Sequence, residues 1–492
     1  MKNASEGLDK LYLDGRFLAP SAGMEAVINP ADEKIIGQAP VASLEDLRIA
    51  IGAARHAFDE GPWPRLSAAK RAEIMTRFYR SLIARRDRFG SLIMQEGGAV
   101  SNDALSRQFD IPLQHLLHTI GLGLKNFIRP LSPVVTDLGV VKGIGMGVVE
   151  RVPVGVVAAI SPFNYPTYLN LAKIGPALMA GNTLVLKPSP LTPFQALLLG
   201  EAARDAEIPP GVLNIITGGV EVGKALTAAP EVDLLTFTGS DSVGSKIASQ
   251  CASTLKRVLL ELGGKSPLIV RADADLDMAA KIALRGFTAH AGQGCAMFTR
   301  AIVDNEVRHL FVEKVLTQSK LIKVGSPSDP STTMGPLISS SQRDVVERSV
   351  QAALESGSNL VMGGGRPVHL NKGFYFEPTL FDNVDNRSPL AQDEIFGPVG
   401  CVIGFDTDEE AIRLSNDSKY GLRAGVMSSN VGHAFEMAQQ LRAGQVLING
   451  GALTALSDAP FGGFKRSGYG RENGEEGFLS YTEARVIEYH AG

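Results

Sequence analysis

The chain is poor in cysteine, carries no surplus of charge of either sign, and has no long apolar run. Its three cysteines, Cys251, Cys295 and Cys401, are far apart, and none has C-x-x-C spacing. That excludes the common zinc and dithiol patterns, so no metal is expected, and it fits a reducing cytosol. Lys plus Arg number 48 against 52 Asp plus Glu, which indicates neither a nucleic-acid footprint nor a disordered acidic tail. The expected partner is a small molecule. No uninterrupted apolar run reaches the roughly 18 residues of a membrane span. The start, "MKNASEGLDKLYLDGRF", lacks the apolar core of a signal peptide. No membrane partner and a cytoplasmic location are therefore expected. Repeats and low-complexity blocks are absent too, and clusters such as "GGGRP" are short enough to be turns.

What is present is a 492-residue chain, 44% hydrophobic and 20% charged, long enough for two or three packed domains. Apolar positions recurring at three and four predict helices from about Leu44 to Phe58, from Ala68 to Gly90, and over 112–128. "VVTDLGVVKGIGMGVVERVPVGVVAAI" alternates glycine with β-branched residues and reads as extended strands or a hairpin arm. From Val152 the pattern rotates through strand, turn and helix in "VPVGVVAAI", "TLVLKP", "VLNIIT" and "VDLLTFT" and the segments between them. Apolar strands alternating with helices imply a parallel sheet covered on both faces, a Rossmann-like α/β architecture. A second alternating series, from "KRVLLELGGKSPLIV" to "QVLING", predicts a further α/β domain.

Five stretches concentrate the chemistry. In "TFTGSDSVG" a β-rich run ends at Gly239 and a helix opens toward Gly244. Exposed N–H groups at such a helix start suit a pyrophosphate, although a strand-turn-helix glycine pair is also ordinary turn chemistry. "AISPFNYP" ends an apolar strand at Asn164, whose amide either donates to a developing oxyanion or stabilises a turn before proline. "LVLKPSP" closes a strand on Lys187, which either reaches a ribose hydroxyl or phosphate or is solvated. In "LLELGGKSP", Glu261 follows apolar residues. Burial there would favour its neutral form and poise it as a general base, unless a basic residue pairs with it. Finally, "RGFTAHAGQGCAMFTR" sets Cys295 among Gly292, Gly294 and Ala296. Small neighbours leave room for a carbonyl beside a nucleophilic sulfur; the alternative is a small buried hydrophobe.

"FTGSDSVG", "LELGGKSP" and "GQGCAMFTR", in this order and spacing, resemble the aldehyde dehydrogenase superfamily. So do "SPFNYP", "LKPSPLTP", "EIFGPV" and "PFGGFKRSGYGREN", from about residue 150 to 475. The resemblance implies a Rossmann-type cofactor domain over 1–130 and 153–260 and a catalytic domain over 261–465. It also implies a β oligomerisation arm and tail over 131–152 and 475–492, pairing across subunits in a homodimer or homotetramer. The activity implied is NAD(P)-dependent oxidation of an aldehyde to a carboxylic acid. Cys295 would be the nucleophile, Asn164 with the Cys295 N–H would hold the oxyanion, and Glu261 would activate water to hydrolyse the thioester.

For the cofactor, the resemblance implies that Ser240 and neighbouring backbone at the Gly239 turn meet the pyrophosphate and that Lys187 reaches the adenine ribose, with Ile160, Ser161, Ser189, Val243 and Gly244 also at the cofactor. Glu394 would hold the nicotinamide ribose with Phe396 packed nearby, and the Leu262 backbone would hold the carboxamide. Pro190 stands where many NAD-preferring relatives have a glutamate, so use of both NAD and NADP is expected, with a weak preference for NAD. Tyr165, Tyr168, Leu169, Met297, Leu453 and Ala455 are expected to line an apolar substrate pocket. No arginine stands out to meet a substrate carboxylate, so a hydrophobic aliphatic, terpenoid or aromatic aldehyde is expected. The alternatives are a CoA-acylating dehydrogenase, opposed by Glu261, and a catalytically silent binding or structural relative, opposed by the intact Cys295, Glu261 and Asn164. A cysteine hydrolase is opposed by the lack of a convincing histidine partner.

Overall fold

A computed structural model describes residues 4–140, 142–452 and 456–491. The first sheet has eight strands in the order Arg16–Leu18, Leu11–Leu13, Leu213–Ile215, Thr183–Lys187, Val156–Ile160, Leu234–Thr238, Arg257–Glu261 and Gly468–Tyr469. The five central strands are mutually parallel, and the outer ones run antiparallel. Alternate residues of one strand feed two different cores. Val157, Ala159, Leu184 and Leu186 pack among Ile174, Phe194 and Leu197, whereas Val156, Ala158 and Val185 pack among Leu47, Ile51, Val222 and Ile247. Burial on both faces explains why these strands read as continuous apolar runs.

The helix predicted over Ala68–Gly90 is two helices, Ala68–Ile83 and Arg86–Gly97. The apolar period continues across the break, so periodicity did not reveal it; Ala84 and Arg85 form the turn, and Arg85 leaves helical geometry at φ −108°, ψ 10°. The segment predicted over 112–128 is helical only at Ile111–Leu122, beside Gly121 and Gly123, and is preceded by a wide turn at Ser106–Asp110.

"KRVLLELGGKSPLIV" does not belong to one domain. Its first half, Arg257–Glu261, closes the first sheet, and Ser266–Val270 lies inside the second. The second sheet orders Asn359–Met362, Thr379–Asp382, Val399–Phe405, Phe298–Asp304, Ser266–Val270, Arg423–Met427 and Gln445–Ile448, parallel except at the first edge. Gly263 and Gly264 thus form the link between the sheets.

A smaller sheet joins Lys142–Pro153 to Thr482–Ala491 in one antiparallel register, Thr482↔Pro153 through Ala491↔Ile144. The arm and the tail, expected to pair across subunits, pair with each other within one chain. The tail does not begin as a free strand: Gly474–Leu479 is helical, and Phe478 and Tyr481 are buried in the first core.

Candidate active site

The four strand-end motifs meet because the parallel sheet aligns them. Lys187 is registered with Ile160, Ile160 with Phe237, and Thr238 with Glu261. The carboxyl ends of parallel strands form the crevice where this architecture binds ligands. Ser240 caps the helix Asp241–Cys251, its Oγ accepting from the Val243 N–H at 3.4 Å. Gly244 packs so closely that a Cβ would lie 2.6 Å from the Leu262 side chain. The Gly239 N–H donates to the Glu261 carbonyl at 3.1 Å, tying this turn to the end of the next strand.

Lys187 is buried at 6% exposure, and its Nζ has one protein acceptor, the Pro188 carbonyl at 3.4 Å. Burial pushes its pKa down to about 8. Gly223 lies beside its stem, while Pro190 is exposed. Ser189 Oγ accepts from the Leu191 N–H, and Ser161 Oγ turns inward to Asn170 Oδ1 at 2.5 Å, away from a ligand role. The Leu262 N–H is already given to the Ser467 carbonyl at 2.9 Å, so only the Leu262 carbonyl could serve a carboxamide. Glu394 Oε1 accepts from the Gly264 N–H at 3.1 Å, and a Cβ on Gly263 would lie 2.1 Å from Oε2. Burial raises the Glu394 pKa to about 7. Phe396 meets Phe163 edge to face at 5.7 Å. A buried, under-partnered cation, a helix N-terminus and a buried carboxylate around the carboxyl ends of one sheet fit a nicotinamide dinucleotide.

Cys295 follows a left-handed kink at His290 and Ala291, φ 50° and 54°. Asn164 Nδ2 donates to the Gln293 carbonyl at 3.0 Å, which brings its amide to the cysteine turn and leaves the second N–H to donate elsewhere. Gln293 anchors the same turn: its Nε2 donates to the His290 carbonyl, and its Oε1 accepts from the Ile338 N–H. A Cβ on Gly264 would lie 2.5 Å from the Cys295 carbonyl, so only glycine permits this approach. Burial, then the carboxylates of Glu394 and Glu261, pushes the Cys295 thiol up to about 12.

Glu261 is buried at 4% exposure, and neither carboxylate oxygen has a hydrogen-bond partner. Burial, then the Glu472 charge, holds its pKa well above the ordinary carboxylate range against the opposing pull of Lys173 and Arg471. Glu472 is itself paired with the fully buried Lys173 at 2.5 Å, and Lys173 also donates to Thr236 and Thr238.

On the aldehyde side, Tyr165 lies against the His290 ring at 5.3 Å, and Tyr168 meets the His115 ring at 5.4 Å and accepts from Asn473 Nδ2 at 3.3 Å. Leu169 is half-buried in the same helix start, and Met297 folds over Gly294. Leu453 and Ala455 lie outside the described residues. An arginine that the sequence did not single out stands near the cysteine turn. Arg423 opens a second-sheet strand, and its Nη1 donates to the Ala296 carbonyl at 3.4 Å, one residue from the cysteine. The signal was a lone charge in "YGLRAGVM", but only the fold brings it to Cys295. The Lys173–Glu472 pair was missed for the same reason, whereas His290 stands in the cysteine stretch itself and was passed over.

The family model described as the aldehyde dehydrogenase family matches residues 17–487. The chain is 39% identical over 490 residues to a 3-succinoylsemialdehyde-pyridine dehydrogenase of a Pseudomonas species, covering 98% of this chain and 99% of that one. It is 36% identical to a peroxisomal aminoaldehyde dehydrogenase of Pisum sativum, covering 97% and 95%. A solved betaine aldehyde dehydrogenase of Staphylococcus aureus in complex with NAD+ superposes with a TM-score of 0.95 at 34% identity, covering 99% and 96%. The match runs through both sheets and every motif that meets at the site, and the chain therefore belongs to the aldehyde dehydrogenase family, enzymes that oxidise aldehydes with a nicotinamide cofactor.

Proposed function

We propose that Cys295, Asn164 and Glu261 oxidise an aldehyde to its carboxylic acid through a thioester that water releases. The supporting observation is the convergence of a cysteine turn, a donor amide and a buried, unpartnered carboxylate at the link between the sheets. At neutral pH a thiol raised to about 12 is protonated, so a base must take its proton as the sulfur adds to the carbonyl. That proton passes to solvent, so Glu261, which with Glu394 is a carboxylate whose charge reaches the sulfur, is free to act in the later hydrolysis. Addition makes an oxyanion, which accepts from the free Asn164 amide N–H and the Cys295 N–H. Acceptance of the hydride is the chemistry that an NAD(P) nicotinamide supplies when bound. The chain's residues then hold a Cys295 thioester. Glu261 takes a proton from water, hydroxide attacks the carbonyl, the sulfur leaves, and the acid departs.

Glu261 favours this hydrolytic reading over CoA acylation, in which a thiol would be the acyl acceptor. A hydrolase built on a Cys–His pair finds no support: His290 lies against Tyr165, and burial lowers its pKa to about 4. The NAD+ complex of the staphylococcal relative supports NAD for this chain, and Lys187 with Pro190 supports some use of NADP. The polar-tailed substrates in the relatives' names move the proposed substrate away from a terpenoid or plain aliphatic aldehyde. Apolar side chains exposed on the arm and tail, Val134, Val135, Val486 and Ile487, support a homodimer or homotetramer. No helix among the described residues is long and apolar enough to cross a membrane; that, with three free cysteines, is compatible with the cytosol. The test is cofactor reduction over an aldehyde panel with and without CoA. Reduction without CoA that is lost in Cys295→Ala supports the reading, and a strict CoA requirement contradicts it.

A further inference from the structure

Arg423 is an arginine without a carboxylate. Its Nε donates to Gln445 Oε1 at 2.8 Å and its Nη1 to the Ala296 carbonyl at 3.4 Å, both neutral acceptors. Among the described residues no Asp or Glu lies within ion-pair distance of it, and Nη2 has no protein partner. Arg71 and Arg471 also donate only to carbonyls, but neither bonds to the cysteine turn; others are compensated. Arg85, Arg88 and Arg271 pair with carboxylates, and the fully buried Arg300 is enclosed by the Lys265, Leu414 and Ser415 carbonyls and Asn386 Oδ1. A half-buried cation with a free donor and no counter-ion gains free energy when an anion joins it.

Its surroundings say where that anion would come from. The guanidinium interacts electrostatically with Cys295, Tyr165 and Tyr168, the groups that bound the aldehyde side. Gln445 and Ala296 occupy Nε and Nη1 and leave the N–H groups of Nη2 free. Tyr168 is kept protonated by burial, with a pKa of about 12, and its oxygen already accepts from Asn473, so its hydrogen is available as a second donor. Two donors on one side of the sulfur suit an acceptor group at the far end of a short substrate. The fixed guanidinium fork matches carboxylate geometry better than that of a single carbonyl oxygen.

Resting on the aldehyde-oxidation reading, we propose that Arg423 binds the far end of the substrate and that the preferred substrate is a semialdehyde acid, an aldehyde ending in a carboxylate. A quaternary or primary ammonium tail, as in betaine aldehyde or an aminoaldehyde, would meet a like charge there and be disfavoured. On this reading the chain differs in tail preference from the betaine and aminoaldehyde enzymes it resembles.

The experiment measures kcat/KM for four aldehydes of matched length ending in a carboxylate, a methyl ketone, a methyl group or a trimethylammonium group. Wild type, Arg423→Leu and Arg423→Lys are compared, with cofactor affinity as the check on folding. Wild type is expected to favour the carboxylate over the methyl end by about 10- to 100-fold. Arg423→Leu is expected to erase that ratio through KM for the carboxylate-ended aldehyde, and Arg423→Lys to restore part of it. A wild-type preference for the ketone, methyl or ammonium end overturns the proposal. So does an equal loss on all four aldehydes in Arg423→Leu with cofactor affinity retained. Oxidation of the methyl-ended aldehyde by both proteins leaves the aldehyde-oxidation reading standing whatever the tail preference; oxidation of none of the four by wild type overturns both.

Discussion

The two sides of Cys295 are assembled in different ways. On the side proposed for the cofactor, Lys187, Gly239, Ser240 and Glu261 sit at or just beyond the ends of neighbouring parallel strands, and backbone pairing puts those strands in register. On the aldehyde side, Tyr165 and Tyr168 come from one helix start, Arg423 from the other sheet and Asn473 from near the tail. The first side is local chemistry carried by short motifs and fixed by hydrogen-bond ladders. The second depends on side chains that meet only after two sheets have packed. The reaction can therefore be held constant while the substrate changes, because the two depend on different parts of the fold.

The largest expected effect breaks the shared centre. Cys295→Ala should lower aldehyde oxidation by about a thousandfold or more while leaving cofactor affinity intact, measured by turnover and by cofactor titration. Near wild-type turnover would remove the nucleophile from the account.

Asn164→Ala should cost roughly 100- to 1,000-fold in kcat, the usual consequence of losing one oxyanion donor. Because Asn164 also bonds to the Gln293 carbonyl, Asn164→Asp serves as a companion. It can keep the shape but offers no amide hydrogen, and it should be nearly as inactive.

The smallest effect separates the cofactor side from the rest. Lys187 is charged below its pKa of about 8 and neutral above it. A 2′-phosphate gains from the cation, so the ratio of NADP to NAD in kcat/KM should fall severalfold as the pH rises through about 8. The fall should vanish in Lys187→Gln. Pro190→Glu should lower the same ratio at every pH, and neither change should alter selectivity among aldehydes. A cofactor ratio independent of pH would contradict the position given to Lys187.

Legibility followed the same division. The parallel first sheet was readable because strands buried on both faces leave unbroken apolar runs such as "TLVLKP". The cysteine, the glutamate and the asparagine were readable because each ends an element beside small or turn-forming residues. The break at Ala84 was not readable, since the apolar period continues across it. The tail's pairing with Lys142–Pro153 joins residues more than 300 positions apart and leaves no local trace. Arg423 was misread by omission. A charge at the start of an apolar strand is usually solvated, and only the approach of the Ala296 carbonyl gives it another meaning.

The central claim is that one buried carboxylate, Glu261, releases the acyl group after hydride transfer. Rapid mixing of Glu261→Gln with aldehyde and cofactor tests it most directly. The account predicts a burst of reduced cofactor close to one equivalent per site followed by slow turnover. It also predicts that the wild-type rise of kcat with pH, through a value above the ordinary carboxylate range, disappears in the variant. A variant with neither burst nor turnover would assign Glu261 to thiolate formation instead, and one that turns over like wild type would remove it from the reaction.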